Sequence, residues 1–376
     1  MRKKIILTFG TRPEAIKMAP VYLALKKDSA FSVKLALTGQ HSDMLDEALD
    51  IFGMKPEYNL NIMTAAQSLA DITSSVVKRL EAVYKKEKPD MVLVHGDTST
   101  TFASALAAFY NGIPSAHVEA GLRTGNKNEP FPEELNRVLT DSISEILFPP
   151  TKGALLNIKR EGLRPALVSV TGNTIVDAAG MISRDERAVT ESVRRLAEKP
   201  FVLFTMHRRE SWGKPMEGVF DFLKKYFTSA RGVSVIYPVH PNPAVKNTAE
   251  KILGLSDNIV LTAPLNYRDL IYLLKNCLFA VTDSGGIQEE ALVFGKKVVL
   301  LRERTERPEG VTAGFVKVAG TAPSKIRSCI SGLLKDSAAK KTFRNPYGDG
   351  RASERIVKAL RKYFELPATT RIRDFE

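Results

Sequence analysis

The residues best equipped for chemistry lie in one stretch, Asp283-Ser284-Gly285-Gly286-Ile287-Gln288-Glu289-Glu290, followed by Arg302, Arg304 and Arg307. The apolar run Leu278-Phe279-Ala280-Val281 before it reads as a short buried strand, and Glu289-Glu290-Ala291-Leu292 as helix. A Ser-Gly-Gly turn at that junction lets a phosphate approach bare backbone N–H groups at the positive end of a helix. Glu289 and Glu290 then stand where carboxylates can accept hydrogen bonds from ribose hydroxyls. The arginines downstream supply planar forks matched to phosphate oxygens. Together these residues describe a pocket for a nucleoside diphosphate.

Further unusual residues sit where strands or loops give way to helices, the places where ligands gather in open α/β sheets. In Phe9-Gly10-Thr11-Arg12-Pro13-Glu14, Thr11 and Glu14 have capping-box spacing and Pro13 suits an early helical position. Arg12 and Lys17 flank that helix start, either as an anion site or as two solvated cations on a well-capped helix. His95-Gly96-Asp97-Thr98 follows another apolar run, with Asp97 as a helix cap or a chemical group. In His117-Val118-Glu119-Ala120-Gly121, Glu119 either pairs with Arg123 or is held for proton transfer. Glu133 opens a helix expected to bury Leu135, Val138 and Leu139, and it can pair with Arg137 one turn on. Each carboxylate alone has a structural explanation. Three of them in one cleft would instead be driven apart into acid and base. In His207-Arg208-Arg209-Glu210, the histidine can contact phosphate, transfer a proton, or simply bond within its loop.

The elements that must position these groups alternate from end to end, strand then amphipathic helix, the pattern of parallel sheets covered on both faces. Strands are expected at 4–9, 32–37, 91–94, 115–118 and 146–148, then at 201–205, 234–237, 259–261, 279–281 and 297–301. A chain of 376 residues exceeds one ordinary core. The expected architecture is therefore α/β, with two Rossmann-like domains facing a central cleft. The first covers 1–170 and the second 171–351, with a crossover near Val170-Thr171-Gly172-Asn173-Thr174. A final helix carries Ile356, Val357, Leu360, Tyr363 and Phe364 on one face.

Absences narrow the chemistry. There is no Gly-x-Gly-x-x-Gly after the first strand, no Walker lysine loop and no Gly-x-Ser-x-Gly elbow. No His-x-x-x-His pair or Cys/His spacing suggests a metal. The net charge of +13 is spread, without a Lys/Arg block or interleaved aromatics, so a local anion pocket is expected rather than nucleic-acid binding. Two isolated cysteines, Cys277 and Cys329, fit a reduced compartment and core positions. Met1-Arg2-Lys3-Lys4 leads into a first strand rather than a signal peptide, and the apolar stretch from Phe102 to Ile113 is too short to span a membrane. A cytoplasmic protein is expected.

These segments together resemble the non-hydrolysing UDP-N-acetylglucosamine 2-epimerases. The matching stretches run from Phe9–Pro20 and Thr38-Gly39-Gln40-His41 through His95–Thr98, His117–Gly125 and Pro130–Glu134. They continue through His207–Glu210, His240–Pro243, Asp283–Glu290 and Glu306–Glu309 to Asn345–Gly350. The resemblance spans nearly the whole chain and implies the glycosyltransferase-B type of fold, with the C-terminal helix at 352–376 returning to the first domain. It implies interconversion of UDP-GlcNAc and UDP-ManNAc without cofactor or metal, by elimination of UDP through 2-acetamidoglucal and re-addition. By the same resemblance, Arg12, Lys17, His207, Ser284, Gly285, Gly286 and Arg307 hold the diphosphate, Glu290 holds the ribose, and Asp97, Glu119 and Glu133 are the acid/base candidates. His207 is placed to assist departure of the leaving group. Gln40, His41, Gln67, Arg208 and His240 match positions at which a second UDP-GlcNAc binds as activator, although Ala66 replaces an arginine common there. Leu265 and Leu270 stand near the expected uracil contacts. A homodimer is implied by the family alone. The alternatives are an epimerase of another UDP-2-acetamido sugar, a hydrolysing enzyme that releases ManNAc, and a glycosyltransferase of the same fold.

Overall fold

A computed structural model describes residues 1–39, 43–62, 67–229, 232–335 and 344–375. The chain forms two compact units, Met1–Ala178 with Tyr347–Glu376, and Ala179–Pro346. In the first unit the strands are β1 (Lys3–Phe9), β2 (Phe31–Leu37), β3 (Tyr58–Asn59), β4 (Met91–His95), β5 (Ser115–Val118), β6 (Ile146–Phe148) and β7 (Leu167–Val168). Among the described residues they make one sheet in the order β3-β2-β1-β4-β5-β6-β7, and every pairing is parallel. Such a sheet needs cover on both faces, which is why its central strands are apolar throughout. Ile5, Ile6, Leu7 and the run Met91–Val94 are fully buried.

The second unit repeats the plan with β8 (Phe201–Thr205), β9 (Ser234–Pro238), β10 (Ile259–Thr262), β11 (Ala280–Thr282), β12 (Val298–Leu300) and β13 (Val316–Val318). Their order is β10-β9-β8-β11-β12-β13, again all parallel. Its largely aliphatic core holds a cluster of rings: Phe204 and Tyr237 meet edge to face at 4.7 Å, with Phe220 packed against both. Both sheets are doubly wound. Strand order reverses between β1 and β4 in one, and between β8 and β11 in the other, which opens a crevice beyond the carboxyl ends at each reversal.

The expected interior strands are all present. The structure adds three that the sequence reading did not mark, Tyr58–Asn59, Leu167–Val168 and Val316–Val318, each a two- or three-residue sheet edge. The division between units falls after Ala178 rather than at 170. The cause is Asp177, whose buried carboxylate accepts hydrogen bonds from Ala352 N (3.1 Å), Ser353 N (2.9 Å) and Ser353 Oγ (2.7 Å). It thereby caps the helix Ala352–Tyr363 and ties the first turn of its own helix, Thr174–Ile182, to the first unit. That C-terminal helix buries Ile356, Val357 and Leu360. It pairs Arg361 with Asp28 through two bonds of 2.6 and 2.7 Å. The tail is packed as well, with Phe375 N donating to Val170 O at 2.8 Å. No helix among the described residues is long and apolar enough to cross a membrane.

Candidate active site

At the reversal of the first sheet, the turn after β1 is tied to the turn after β4 by one carboxylate. Glu14 Oε2 accepts from Gly10 N (3.0 Å) and Thr11 N (2.8 Å), completing the capping box of the helix Arg12–Lys27. Its Oε1 accepts from Thr98 Oγ1 (2.7 Å) and Thr101 Oγ1 (2.9 Å) beyond β4. Thr98, not Asp97, caps the following helix Ser99–Tyr110. Asp97 is thus released from a capping role. Its carbonyl is instead held by Asn136 Nδ2 at 2.9 Å, and Arg137 Nη2 lies 3.6 Å from its Oδ2.

Glu119, just past β5, is buried at 8% exposure and has a φ of 69°. A left-handed conformation costs a non-glycine residue on the order of 1–3 kcal/mol, so the surrounding contacts must hold it there. Those contacts come from Lys17, whose buried ammonium pairs with Glu119 Oε2, and from Asn173, whose Nδ2 donates to the same oxygen at 2.9 Å. Arg123, the partner weighed in the sequence reading, turns instead to Asp141 and Glu161, at 2.7 Å each. His95 completes the cluster with Nε2 3.8 Å from Glu119 Oε2. Burial drives its imidazole down to about 3, against the opposing pull of Glu119, so it is neutral near pH 7. Neither ring nitrogen of His95 has a hydrogen-bond partner among the described residues.

The helix Glu133–Ile143 was expected to bury Leu135, Val138 and Leu139. It packs the other way. Leu135 is 41% exposed, while Glu134, Asn136, Arg137, Thr140 and Asp141 are buried. Hydrogen bonding favours the reversal, because Glu134, Asn136 and Asp141 meet backbone groups in the loops that follow the strands. Asp141 Oδ1 binds His117 Nδ1 at 2.6 Å, and its Oδ2 accepts from Gly121 N at 3.0 Å. His117 Nε2 reaches Gly96 O at 2.7 Å. Burial would raise the Asp141 carboxyl, but the charges of His117 and Arg123 outweigh that and hold it below the usual range. Arg137 lies 3.3 Å from Glu134, not against Glu133 as expected. Glu133 Oε2 is buried without a hydrogen-bond partner among the described residues.

At the reversal of the second sheet, Asp283 is fully buried beyond β11 and reaches across to the turn after β8. Its Oδ2 accepts from His207 N (2.8 Å) and Arg208 N (2.9 Å), and its Oδ1 lies 3.2 Å from His207 Nδ1. The His207 ring stacks on His240 at 5.4 Å, nearly parallel. Ser284 occupies the N-cap position of the helix Gly285–Val293 without a side-chain capping bond. The Arg307 guanidinium lies directly over Gly285, where an added Cβ would meet its Nη1 at 2.8 Å and displace it. Arg307 is aimed by two carboxylates, Glu289 (Nε–Oε1 2.7 Å) and Glu306. Burial works to raise Glu306, but Arg307 and Arg302 prevail and hold it down at about 2. Glu289 is therefore a support for Arg307, and the neighbouring Glu290 is also buried.

Within the first unit the structure brings together Lys17 and Glu119, and it seats Asp97 against the helix that begins with Glu133. Within the second it brings together His207, Arg208 and His240, and separately Ser284, Gly285, Gly286, Glu290 and Arg307. Gln67 donates to Ile62 O at 2.7 Å. Gln40 and His41 lie outside the described residues. The sequence reading did not mark His95, Asn173 or Asp141 as site residues. An Asn in a Thr-Gly-Asn-Thr turn and an Asp inside a helix carry no short-range signal, whereas His95 opens the motif His95-Gly96-Asp97-Thr98, in which only Asp97 was given a chemical role.

These sheets and clusters define a two-domain, doubly wound α/β protein with charged groups collected at both strand-order reversals. The sequence profile of the UDP-N-acetylglucosamine 2-epimerases matches residues 23–361, and the chain belongs to that family. It is 48% identical over 362 residues to the UDP-N-acetylglucosamine 2-epimerase of Bacillus subtilis, covering 95% of this chain and 94% of that one. It is 44% identical over 370 residues to the Escherichia coli K12 enzyme of the same name, covering 95% and 98%. Among solved structures it resembles the Staphylococcus aureus MnaA–UDP co-structure, with TM-score 0.91, 46% identity and full coverage of both chains. It also resembles the UDP-GlcNAc 2-epimerase of Neisseria meningitidis bound to UDP-GlcNAc, with TM-score 0.88, 40% identity and coverage of 96% and 100%.

Proposed function

We propose that the protein interconverts UDP-N-acetylglucosamine and UDP-N-acetylmannosamine without hydrolysing either. The C2 proton passes to a carboxylate while the C1–O bond to UDP breaks, giving 2-acetamidoglucal and UDP. UDP then re-adds at C1 as a proton returns to C2 from the other face. Such chemistry needs fixed positive charge for the departing diphosphate and proton carriers near C2. In the second unit, Arg307 and the N–H groups that follow Ser284 meet the first need, with His207 at hand and Glu290 for the ribose. In the first, Arg12 and Lys17 add positive charge, and Asp97, Glu119 and Glu133 are the carriers.

The observation that supports this reading most is Glu119, a buried carboxylate held in a left-handed backbone conformation beside a buried lysine. A purely structural ion pair needs no such strain. The test is incubation of the purified protein with UDP-GlcNAc in D₂O, followed by NMR. The expected result is deuterium at C2 and formation of UDP-ManNAc. Free ManNAc as the main product assigns the hydrolysing reaction instead, and absence of C2 exchange rejects the mechanism. Supplying UDP-GlcNAc in excess during the reverse reaction tests the proposed activator role of Gln67, Arg208 and His240. Sedimentation of the protein tests the dimer.

A further inference from the structure

We propose that Asn173 is a positioning residue for Glu119, holding the carboxylate ready for proton transfer and tying it to the crossover segment of the chain. The proposal rests on the reading of Glu119 as an acid/base group. Asn173 is 3% exposed, and both ends of its side-chain amide are committed. Oδ1 accepts from Ile175 N at 3.0 Å in the turn that starts the helix Thr174–Ile182, which fixes the amide so that Nδ2 faces Glu119 Oε2 at 2.9 Å. A helix-capping asparagine needs only the first bond. The second is spent on the carboxylate.

The backbone of Asn173 is committed too. Its N–H donates to Tyr347 O at 2.6 Å, the residue with which the chain re-enters the first unit. Beside it, Gly172 and Gly348 pack so closely that a Cβ on Gly172 would meet Gly348 Cα at 3.3 Å. A shift of the returning segment therefore reaches Glu119 through one side chain. Among the described residues, the charged and titratable groups facing Glu119 include Lys17 from the helix after β1 and His95 from the end of β4. Asn173 adds an uncharged amide donor to Glu119 Oε2. Donors to a carboxylate favour its ionised form, the form that accepts a proton from carbon.

The role separates from helix capping by choice of substitution. In Asn173→Ser the cap survives, because serine is an equal N-cap, but its short side chain cannot reach Glu119. Asn173→Asp keeps the acceptor for Ile175 N and places a like charge against Glu119. For N173S we expect a fall in kcat of about tenfold, the loss of one hydrogen bond to a charged group. KM should change little, and the acid limb of the kcat–pH profile should move to higher pH. For N173D the acid limb should move further in the same direction. Circular dichroism and UDP titration confirm that each variant is folded and binds. If both folded variants keep the wild-type kcat and acid limb, the proposal is overturned. If N173D fails to fold, N173S alone decides. Wild-type protein without C2 exchange in D₂O would instead reject the underlying assignment of Glu119.

Discussion

Replacing Asp141 by Asn tests how the first unit holds its reactive end together. Three donors converge on the two oxygens of this buried carboxylate: His117 Nδ1 at 2.6 Å, Arg123 Nη2 at 2.7 Å and Gly121 N at 3.0 Å. Asparagine offers one acceptor oxygen and one NH₂ group. The charge is lost whichever way the amide lies: His117 gives up its buried ionic partner, and the Arg123 guanidinium keeps only Glu161 as counter-charge. Breaking a buried pair in this way costs on the order of 3–5 kcal/mol, a large share of the roughly 5–15 kcal/mol that stabilises an ordinary protein. Urea denaturation followed by circular dichroism should show the loss in the transition that reports the first unit. Turnover should fall with it, because His117 steadies Gly96 beside Asp97 and Asp141 steadies Gly121 beside Glu119. The pH dependence provides a second check. The folded Asp141 carboxyl is held below its ordinary value. Its stabilisation is therefore complete above the unfolded carboxylate value of about 3.9 and is lost as pH falls through the folded one. Wild-type stability should decline on acidification through that window, and the variant should lack this component. A loss below about 1 kcal/mol, the range of exposed ion pairs, would refute the reasoning.

Two further substitutions separate the roles assigned to the two units. Glu119→Gln should lower turnover by at least about 10²–10⁴-fold, the usual contribution of a positioned acid/base group, while UDP binding measured by calorimetry stays close to wild type. Arg307→Ala should do the reverse. Loss of a charged hydrogen bond is worth roughly 1.5–3 kcal/mol, about 10- to 150-fold in Kd for UDP, and Glu289 is left buried without its ion pair. Unchanged UDP affinity in the arginine variant, with turnover lost, would show that the roles have been exchanged.

Interior strands such as Met91–His95 and Ala280–Thr282 were legible because burial on both faces demands an unbroken apolar run. Edge strands of two or three residues carry no such run and passed unmarked. The Thr11/Glu14 box was read correctly as a cap, but its second bond, to Thr98 and Thr101, depends on which strands are neighbours. The helix Glu133–Ile143 misled for a related reason. Its apolar residues do fall on one side, yet the strand ends offer Gly96, Asp97, His117 and Gly121, so the polar side is drawn inward. Asp97 was assigned a capping alternative that Thr98 takes. The roles of Asn173 and His95 depend on a contact partner far away in sequence, and periodicity cannot reveal such partners.

The return of the last helix to the first unit has a consequence for biosynthesis. A nascent chain leaving the ribosome exposes residues 1–178 early, but Asp28 must wait for Arg361, Asp177 for Ser353 and Val170 for Phe375. The intervening stretch 179–346 is continuous and can reach its final form first. The amino-terminal half can thus be completed only after the carboxyl-terminal residues have been made.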